Sequence, residues 1–446
     1  MTSAYYLLLL LIAAITFIVW LTAYKKVNAF VALLLAALSV GLLSGLPLDA
    51  LADILKKGFG DTMQKIGLLI ILGTILGVIL EKTGATASMA TFILKKVKEK
   101  NAPVAIAITG FIIGLPIFCD SGFVVLSGLN HSLVQKTNSK MPVMAAALGT
   151  ALYAVHCLVP PHPGITAAVS TAGGDIGMVM LWGIVLAVPA ALVGYAVSVT
   201  RGKRITHEYI EPEVPQIVVK KLPAAGASFL PVILPILLIA AKSILMLFTL
   251  PEEVQQSRLL RLIFFAGEPV IALMVGVVCS LLLIDKTHKK DLSRWLTEGV
   301  EKAGMILSII AAGGMFGEVL QATGMGKNLG ELLSGLSLGI FFPFLITAVL
   351  KTAQGSTTVA IITASSLVAP LLAHLGLASQ TGVTLAILSM GAGSMVVSHA
   401  NDAYFWVISR FSNLQTAATL KVYSVATLCM GITVQVLIWV VYKVML

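Results

Sequence analysis

Apolar residues run along this chain in blocks of about 20, the length that crosses a bilayer as a helix at 1.5 Å per residue. Such blocks lie near 4–23, 28–46, 66–81, 142–159, 175–199, 228–248, 265–284, 303–320, 382–398 and 420–442. Two further blocks, 102–135 and 336–373, are too long for one span, and each is interrupted near its middle. The interruptions are Phe118-Cys119-Asp120-Ser121-Gly122 and Gln354-Gly355-Ser356-Thr357-Thr358. Backbone that leaves the helix at membrane depth is tolerated only where protein or a water-filled cavity satisfies its N–H and C=O groups. Each long block therefore predicts a re-entrant hairpin with the interruption at its tip. Two short spans joined by a tight loop are the alternative that hydropathy alone leaves open.

The block after each hairpin is also broken. In the first half the break is His156-Cys157-Leu158-Val159-Pro160-Pro161-His162-Pro163-Gly164, where three prolines remove backbone donors. In the second it is Ser398-His399-Ala400-Asn401-Asp402, whose Asn and Asp favour leaving a helix. The halves also share Gly-x3-Gly-x2-Leu-x2-Thr-Gly: Gly73, Gly77, Leu80, Thr83 and Gly84 recur 240 positions later (317 − 77) as Gly313, Gly317, Leu320, Thr323 and Gly324. Five full spans and one hairpin per half turn the second half over. The expected architecture is an all-α polytopic membrane protein, an inverted repeat of about ten full transmembrane helices, two re-entrant hairpins and two broken helices. Its units are residues 1–200, a polar linker at 201–224, and residues 225–446.

Composition agrees. Hydrophobic residues make up 58% of 446 positions and charged residues 11%, against about 25% charged in a soluble domain; the mean hydropathy is +0.98. The net charge of +10 does not point to nucleic acid, because the Lys and Arg residues fall in short loops between apolar blocks. With hairpins in place, Lys25, Lys26, Lys95, Lys96, Lys98, Lys100, Lys136, Lys140, Arg201, Lys203, Arg204, Lys220, Lys221, Lys286, Lys289, Lys290 and Arg294 share one face, which predicts a cytoplasmic linker and both termini outside. The first block ends in Lys25-Lys26 without a small-residue cleavage site and is expected to be a span rather than a signal peptide. Cys119, Cys157, Cys279 and Cys429 show no metal-ligand spacing, so neither a zinc site nor a disulfide framework is expected.

The breaks gather the deep polar residues, and an ionisable group at membrane depth costs about 3 kcal/mol or more unless something offsets it. Ser121, Gly122, Gly355, Ser356, Thr357, Thr358, His162 and Asn401 are the candidate substrate-binding residues. Hydroxyls and the N–H groups of half-helix N-termini suit a carboxylate, and Ser, Thr, Asn and His suit a polyhydroxyl body. Asp120, His156, His399 and Asp402 are the candidate coupling residues, each able to carry a proton within reach of neutral pH when its surroundings shift it. Lys351 is placed either to neutralise a substrate carboxylate or to snorkel. Lys242 reads as a snorkelling residue, and Glu81 and Glu318 as span-end residues. Gly313-Gly314-Met315-Phe316-Gly317 is no phosphate loop, since no Lys-Ser/Thr follows it, and small residues for close helix packing account for it. A membrane-embedded enzyme is the alternative class, disfavoured because no nucleophile-base spacing or metal motif is present.

Phe118-Cys119-Asp120-Ser121-Gly122-Phe123-Val124, Val155 to Pro163, Gln354-Gly355-Ser356-Thr357-Thr358-Val359-Ala360 and Ser398 to Trp406 resemble the signature segments of the gluconate permease (GntP) family, and the likeness runs over essentially the whole chain. The resemblance implies a bacterial inner-membrane, multi-pass secondary transporter that imports gluconate or a related sugar acid with protons. It implies no cofactor and no metal, only the proton gradient as driving force. It also implies the elevator motion of the wider ion-transporter superfamily and a homodimer. The expected partners are thus a small anionic hydroxy acid, protons and the lipid bilayer. D-serine, D-glycerate or another short acid, with a cation such as sodium in place of the proton, is the alternative within transport.

Overall fold

The computed structural model describes residues 4–97, 101–137, 139–205, 222–246, 257–285, 289–324, 338–399 and 402–445. Most of the expected linker, and Asn401, lie outside them. Every regular element among the described residues is helical.

The first half contains α1 (Ala4–Val19), α2 (Ala29–Leu43), α3 (Leu48–Lys82), α4 (Ala85–Val97), α5 (Ala102–Gly114), α6 (Cys119–Lys136), α7 (Met141–Leu158), α8 (Pro163–Ala172) and α9 (Ile176–Gly202). The second contains α10 (Ala225–Leu245), α11 (Arg258–Ala266), α12 (Pro269–Leu281), α13 (Leu292–Ala322), α14 (Phe341–Gln354), α15 (Thr357–Val368), α16 (Gln380–Met395), α17 (Ala403–Phe411), the single turn α18 (Thr416–Thr419) and α19 (Val425–Met445). Six stretches are long and apolar enough to cross a membrane: α3, α7 with α8, α9, α10, α13, and α18 with α19. A seventh is the pair α11 and α12, bent by 76°. The other three expected spans are shorter helices: α1, α2 and α16 have 16, 15 and 16 residues, and α1 runs on into a π-helical turn, Trp20–Tyr24.

The spans expected at 66–81 and 303–320 are much longer, at 35 and 31 residues. Their polar outer turns stay helical because α3 and α13 cross in close contact over their length. A Cβ on Gly58 would sit 2.6 Å from the Gly314 carbonyl oxygen, and one on Gly299 would sit 2.8 Å from the Ile75 Cα. Where side chains are this small, backbones approach and dispersion replaces the hydrophobic drive that lipid cannot supply. Ion pairs then tie the outer turns, Lys57 to Glu318 and Lys82 to Glu298, the second at 3.2 Å. Glu318 thus has a cationic partner near the span end, and Lys242 in the last turn of α10 pairs with the exposed Glu268.

Both interruptions are turns between packed helices, α5 against α6 and α14 against α15. The later breaks separate α7 from α8 and α16 from α17. α6 to α8 and α15 to α17 begin 238 to 240 residues apart (357 − 119 and 403 − 163). α3 and α13 also end alike: Thr83 and Thr323 each turn a hydroxyl back onto the last turn at 2.7 Å, and Gly84 and Gly324 follow at φ 73° and 68°. The two broken-helix regions form the interior. In the α7–α8 stretch 94% of the apolar window is buried, against 33% in α10, whose Leu237 is 59% exposed as a lipid-facing side chain requires.

The crossing yields a test of opposite signs. Gly58→Ala should destabilise the protein by about 1–3 kcal/mol, because the added methyl has no room. Gly60→Ala, whose Cβ meets nothing within 4 Å, should stabilise it by about 0.5–1 kcal/mol through helix propensity. Thermal midpoints in detergent read both, and shifts of the same sign would refute the tight crossing.

Candidate functional site

Four helices begin at one cavity of about 450 Å³. Phe118, Cys119, Asp120 and Ser121 bring the start of α6, and Pro163 the start of α8. Gly355, Ser356, Thr357 and Thr358 bring the start of α15, and Asp402, Ala403 and Tyr404 the start of α17. The remaining wall comes from Tyr153 and His156 of α7 and from Lys302, Met305 and Ile306 of α13. Each helix start carries N–H groups with no intrahelical partner and roughly half a positive charge. The side chain of residue 118 does not cap α6, nor does that of residue 162 cap α8. The start of α6 thus has no side-chain cap at the cavity, while α8 opens on Pro163, which carries no N–H.

The second hairpin turns at Gly355, whose φ of 81° is in the left-handed region. Ser356 then caps α15 by accepting from the Val359 N–H at 3.3 Å. Thr357 lies 2.7 Å from the Tyr153 hydroxyl, and that hydroxyl donates to the Ser394 carbonyl at 3.0 Å. A phenol has one proton, so Thr357 is the donor to Tyr153 and keeps lone pairs facing the cavity.

Behind the turn lies a buried ion pair. Lys351, fully buried, donates to Asp402 at 2.7 Å and to the Gly355 carbonyl at 2.8 Å. Asp402 also accepts from the Ser398 hydroxyl and, at 3.0 Å, from the Tyr404 N–H, which caps α17. One carboxylate thus fastens the second hairpin to the second broken helix. Lys351 neither snorkels nor lines the cavity, since its charge is used here.

Asp120 stands differently. Its side chain projects into the cavity and makes no ion pair with a described residue. Ser121 and Thr358 are partly exposed beside it. His156 faces the same space, and its Nδ1 has no hydrogen-bond partner among the described residues. A buried ring nitrogen at a cavity wall can bond a substrate hydroxyl.

Other expected site residues are elsewhere. Gly122 is a packing residue, since a Cβ there would meet Leu152 at 2.9 Å. His162, 2% exposed, hydrogen-bonds the Gly114 carbonyl at 2.7 Å and braces the end of α5 from outside the lining. The histidine at 399 bonds the Thr352 carbonyl at 3.2 Å and is also outside the lining. Tyr153, Tyr404 and Lys302 were not among the expected site residues. Tyr153 could have been found, because it precedes His156 by three residues and so shares its helix face. Tyr404 sits at the start of α17 and Lys302 in the polar part of α13 just before the apolar block at 303–320, where hydropathy carries no signal.

A second polar cavity of about 310 Å³ lies at the far ends of α8 and α15, lined by Asp61, Lys65, Ser170, Glu318 and Ser366 among others. α8 has 10 residues, so the two cavities are separated by about 15 Å of helix. At the wall of this second cavity the Ser366 hydroxyl donates to the Gly313 carbonyl at 2.7 Å.

Comparison with known proteins adds four observations. The sequence model of the GntP family permeases matches residues 6–445. A high-affinity gluconate transporter of Escherichia coli is 30% identical over 90% of this chain and 91% of its own length. A D-serine transporter of the same species is 32% identical over 94% of each chain. Among solved structures, the YdaH transporter of Alcanivorax borkumensis superposes with a TM-score of 0.63 over 93% of this chain and 98% of its own, at 14% identity, which is a likeness of fold.

The buried pair supplies a direct test. Lys351→Met should destabilise the protein by about 3–5 kcal/mol, because it strands the Asp402 carboxylate in the interior, and adding Asp402→Leu should recover most of the loss. A detergent unfolding curve for Lys351→Met that coincides with wild type would refute the pairing.

Proposed function

This chain belongs to the GntP family of permeases, and from that premise we propose that it imports a small hydroxy-carboxylate, a sugar acid of the gluconate type, by proton symport. It is a multi-pass transporter of the bacterial inner membrane rather than an enzyme. The convergence of four helix N-termini on one cavity is the observation that carries the substrate class. Oriented N–H groups stabilise an anion without a dedicated all-protein charge cage. Ser121, Ser356, Thr357 and Thr358 line the same space and suit a hydroxylated body, as does the free nitrogen of His156.

Asp120 is the proposed proton carrier. A carboxylate projecting into the cavity without a cation to hold it ionised can load a proton together with the anion, and the two then cross as a less charged unit. Asp402, tied to Lys351, serves instead as the latch that holds the second hairpin. Movement follows from the paired design. The matched element starts and the matched ends of α3 and α13 support an inverted repeat, whose units are residues 1–200 and 225–446. Within it, α5–α6 and α14–α15 act as re-entrant hairpins. The two cavities at opposite ends of α8 and α15 support alternating access across those short helices, with the hairpins riding as an elevator in each protomer of a homodimer.

D-serine is the second reading. The relative that carries it is 32% identical, and the Asp120 carboxylate offers an α-ammonium group a partner that a sugar acid does not need.

The test is uptake of labelled gluconate, D-glycerate and D-serine into proteoliposomes with an imposed inward proton gradient. Gluconate should accumulate, and an uncoupler should abolish accumulation. Asp120→Asn should still bind and exchange substrate but fail to concentrate it. Thr357→Val should raise the KM about fivefold, the effect of one hydrogen bond near 1 kcal/mol. Failure of all three acids to enter would sink the proposal, and preferential entry of D-serine would select the second reading.

A further inference from the structure

The cavity holds one fixed positive charge that the family likeness does not assign. Lys302 of α13 is the only lysine or arginine among the described residues that line it, and it also lines the narrow cleft alongside, with Glu81 and Ser121. We infer that Lys302 is a specificity residue, the counter-charge for the carboxylate of the substrate, and that it reaches the substrate by exchanging partners. The inference rests on the reading of the chain as a permease for small acids.

The Lys302 ammonium is 2.9 Å from one oxygen of Glu298, and the other oxygen of Glu298 is 3.2 Å from the Lys82 ammonium. One carboxylate is therefore shared by two cations. When Lys302 turns to an incoming anion, Glu298 keeps Lys82, whose charge also acts on Glu81 in the same cleft. The side chain can make that turn, being 39% exposed on a flexible four-carbon stem. The need for it follows from the balance of the wall. Asp402 is neutralised by Lys351, but Asp120 makes no ion pair with a described residue, and until it takes up a proton its charge opposes an anion that the helix termini attract only with partial charges. A full positive charge on the facing helix offsets Asp120. The substrate carboxylate would then bridge α13 and the hairpin tips.

Uptake kinetics with gluconate, and competition by gluconate against its uncharged amide, test this. Lys302→Gln should raise the KM for gluconate about tenfold with Vmax within about twofold of wild type, the loss expected for one charge-assisted contact. Its preference for the acid over the amide should shrink by the same factor of about ten, which a merely structural role would not change. Lys302→Arg should stay near wild type. Glu298→Gln, which removes the competing carboxylate and does not depend on Lys302→Gln folding, should lower the KM. An unchanged KM and unchanged acid-over-amide preference in Lys302→Gln would overturn the inference alone. So would a KM raised alike in Lys302→Gln and Glu298→Gln, which would make the ion pair a brace. Wild-type protein that transports none of gluconate, D-glycerate or D-serine would overturn this inference together with the permease reading it rests on.

Discussion

A helix that stops inside a hydrocarbon layer leaves backbone groups that water cannot reach, and the rest of this structure is arranged around that constraint. α6, α8, α15 and α17 all start in the interior, and they start at the same place. Alone, each start would be an unpaid cost of several kcal/mol. Together they enclose a cavity whose wall already points donors inward, so the cost becomes a binding capacity. The carboxylate at residue 402 caps one of the four, and a hydroxyl at residue 356 caps another. The starts of α6 and α8 have no cap from the preceding side chain.

Holding four loose ends in register requires rigid surroundings. The crossing of α3 and α13, backbone against backbone at Gly58, Gly314 and Gly299, supplies one wall that does not yield. The Lys351–Asp402 pair supplies the other constraint, since it joins the second hairpin to the second broken helix through a single carboxylate. A buried pair of this kind is weak evidence for net stability but strong evidence for a defined geometry, because either partner alone would be an uncompensated charge. Asp120 and Asp402 consequently have different work: one faces the cavity unpaired, the other fastens the helices that form it.

Much of this was legible in the residue order. Hydropathy located the apolar blocks, and the polar interruptions at 118–122 and 354–358 mark turns that the structure places between packed helices. The repeat of glycines, Leu, Thr and Gly at 240 residues corresponds to two long helices that end in the same way. Family signatures in the broken segments named the class of protein. Hydropathy also marked α1, α2 and α16, which are helices of 16, 15 and 16 residues. It also cut α3 and α13 short, since their charged outer turns read as loops while packing keeps them helical.

Residue types and their order were sufficient for the membrane class, the position of the breaks and the set of polar groups near them, because each follows from local composition and periodicity. Which of those groups meet is a matter of three-dimensional contact. Gly122, His162 and His399 sit within a few residues of cavity-lining positions, yet they pack or brace, while Lys302 comes from a distant segment to complete the wall. Only the folded chain decides that Lys351 spends its charge on Asp402, and that Lys302 is left at the cavity, because both outcomes depend on distances between residues 51 and more than 150 positions apart.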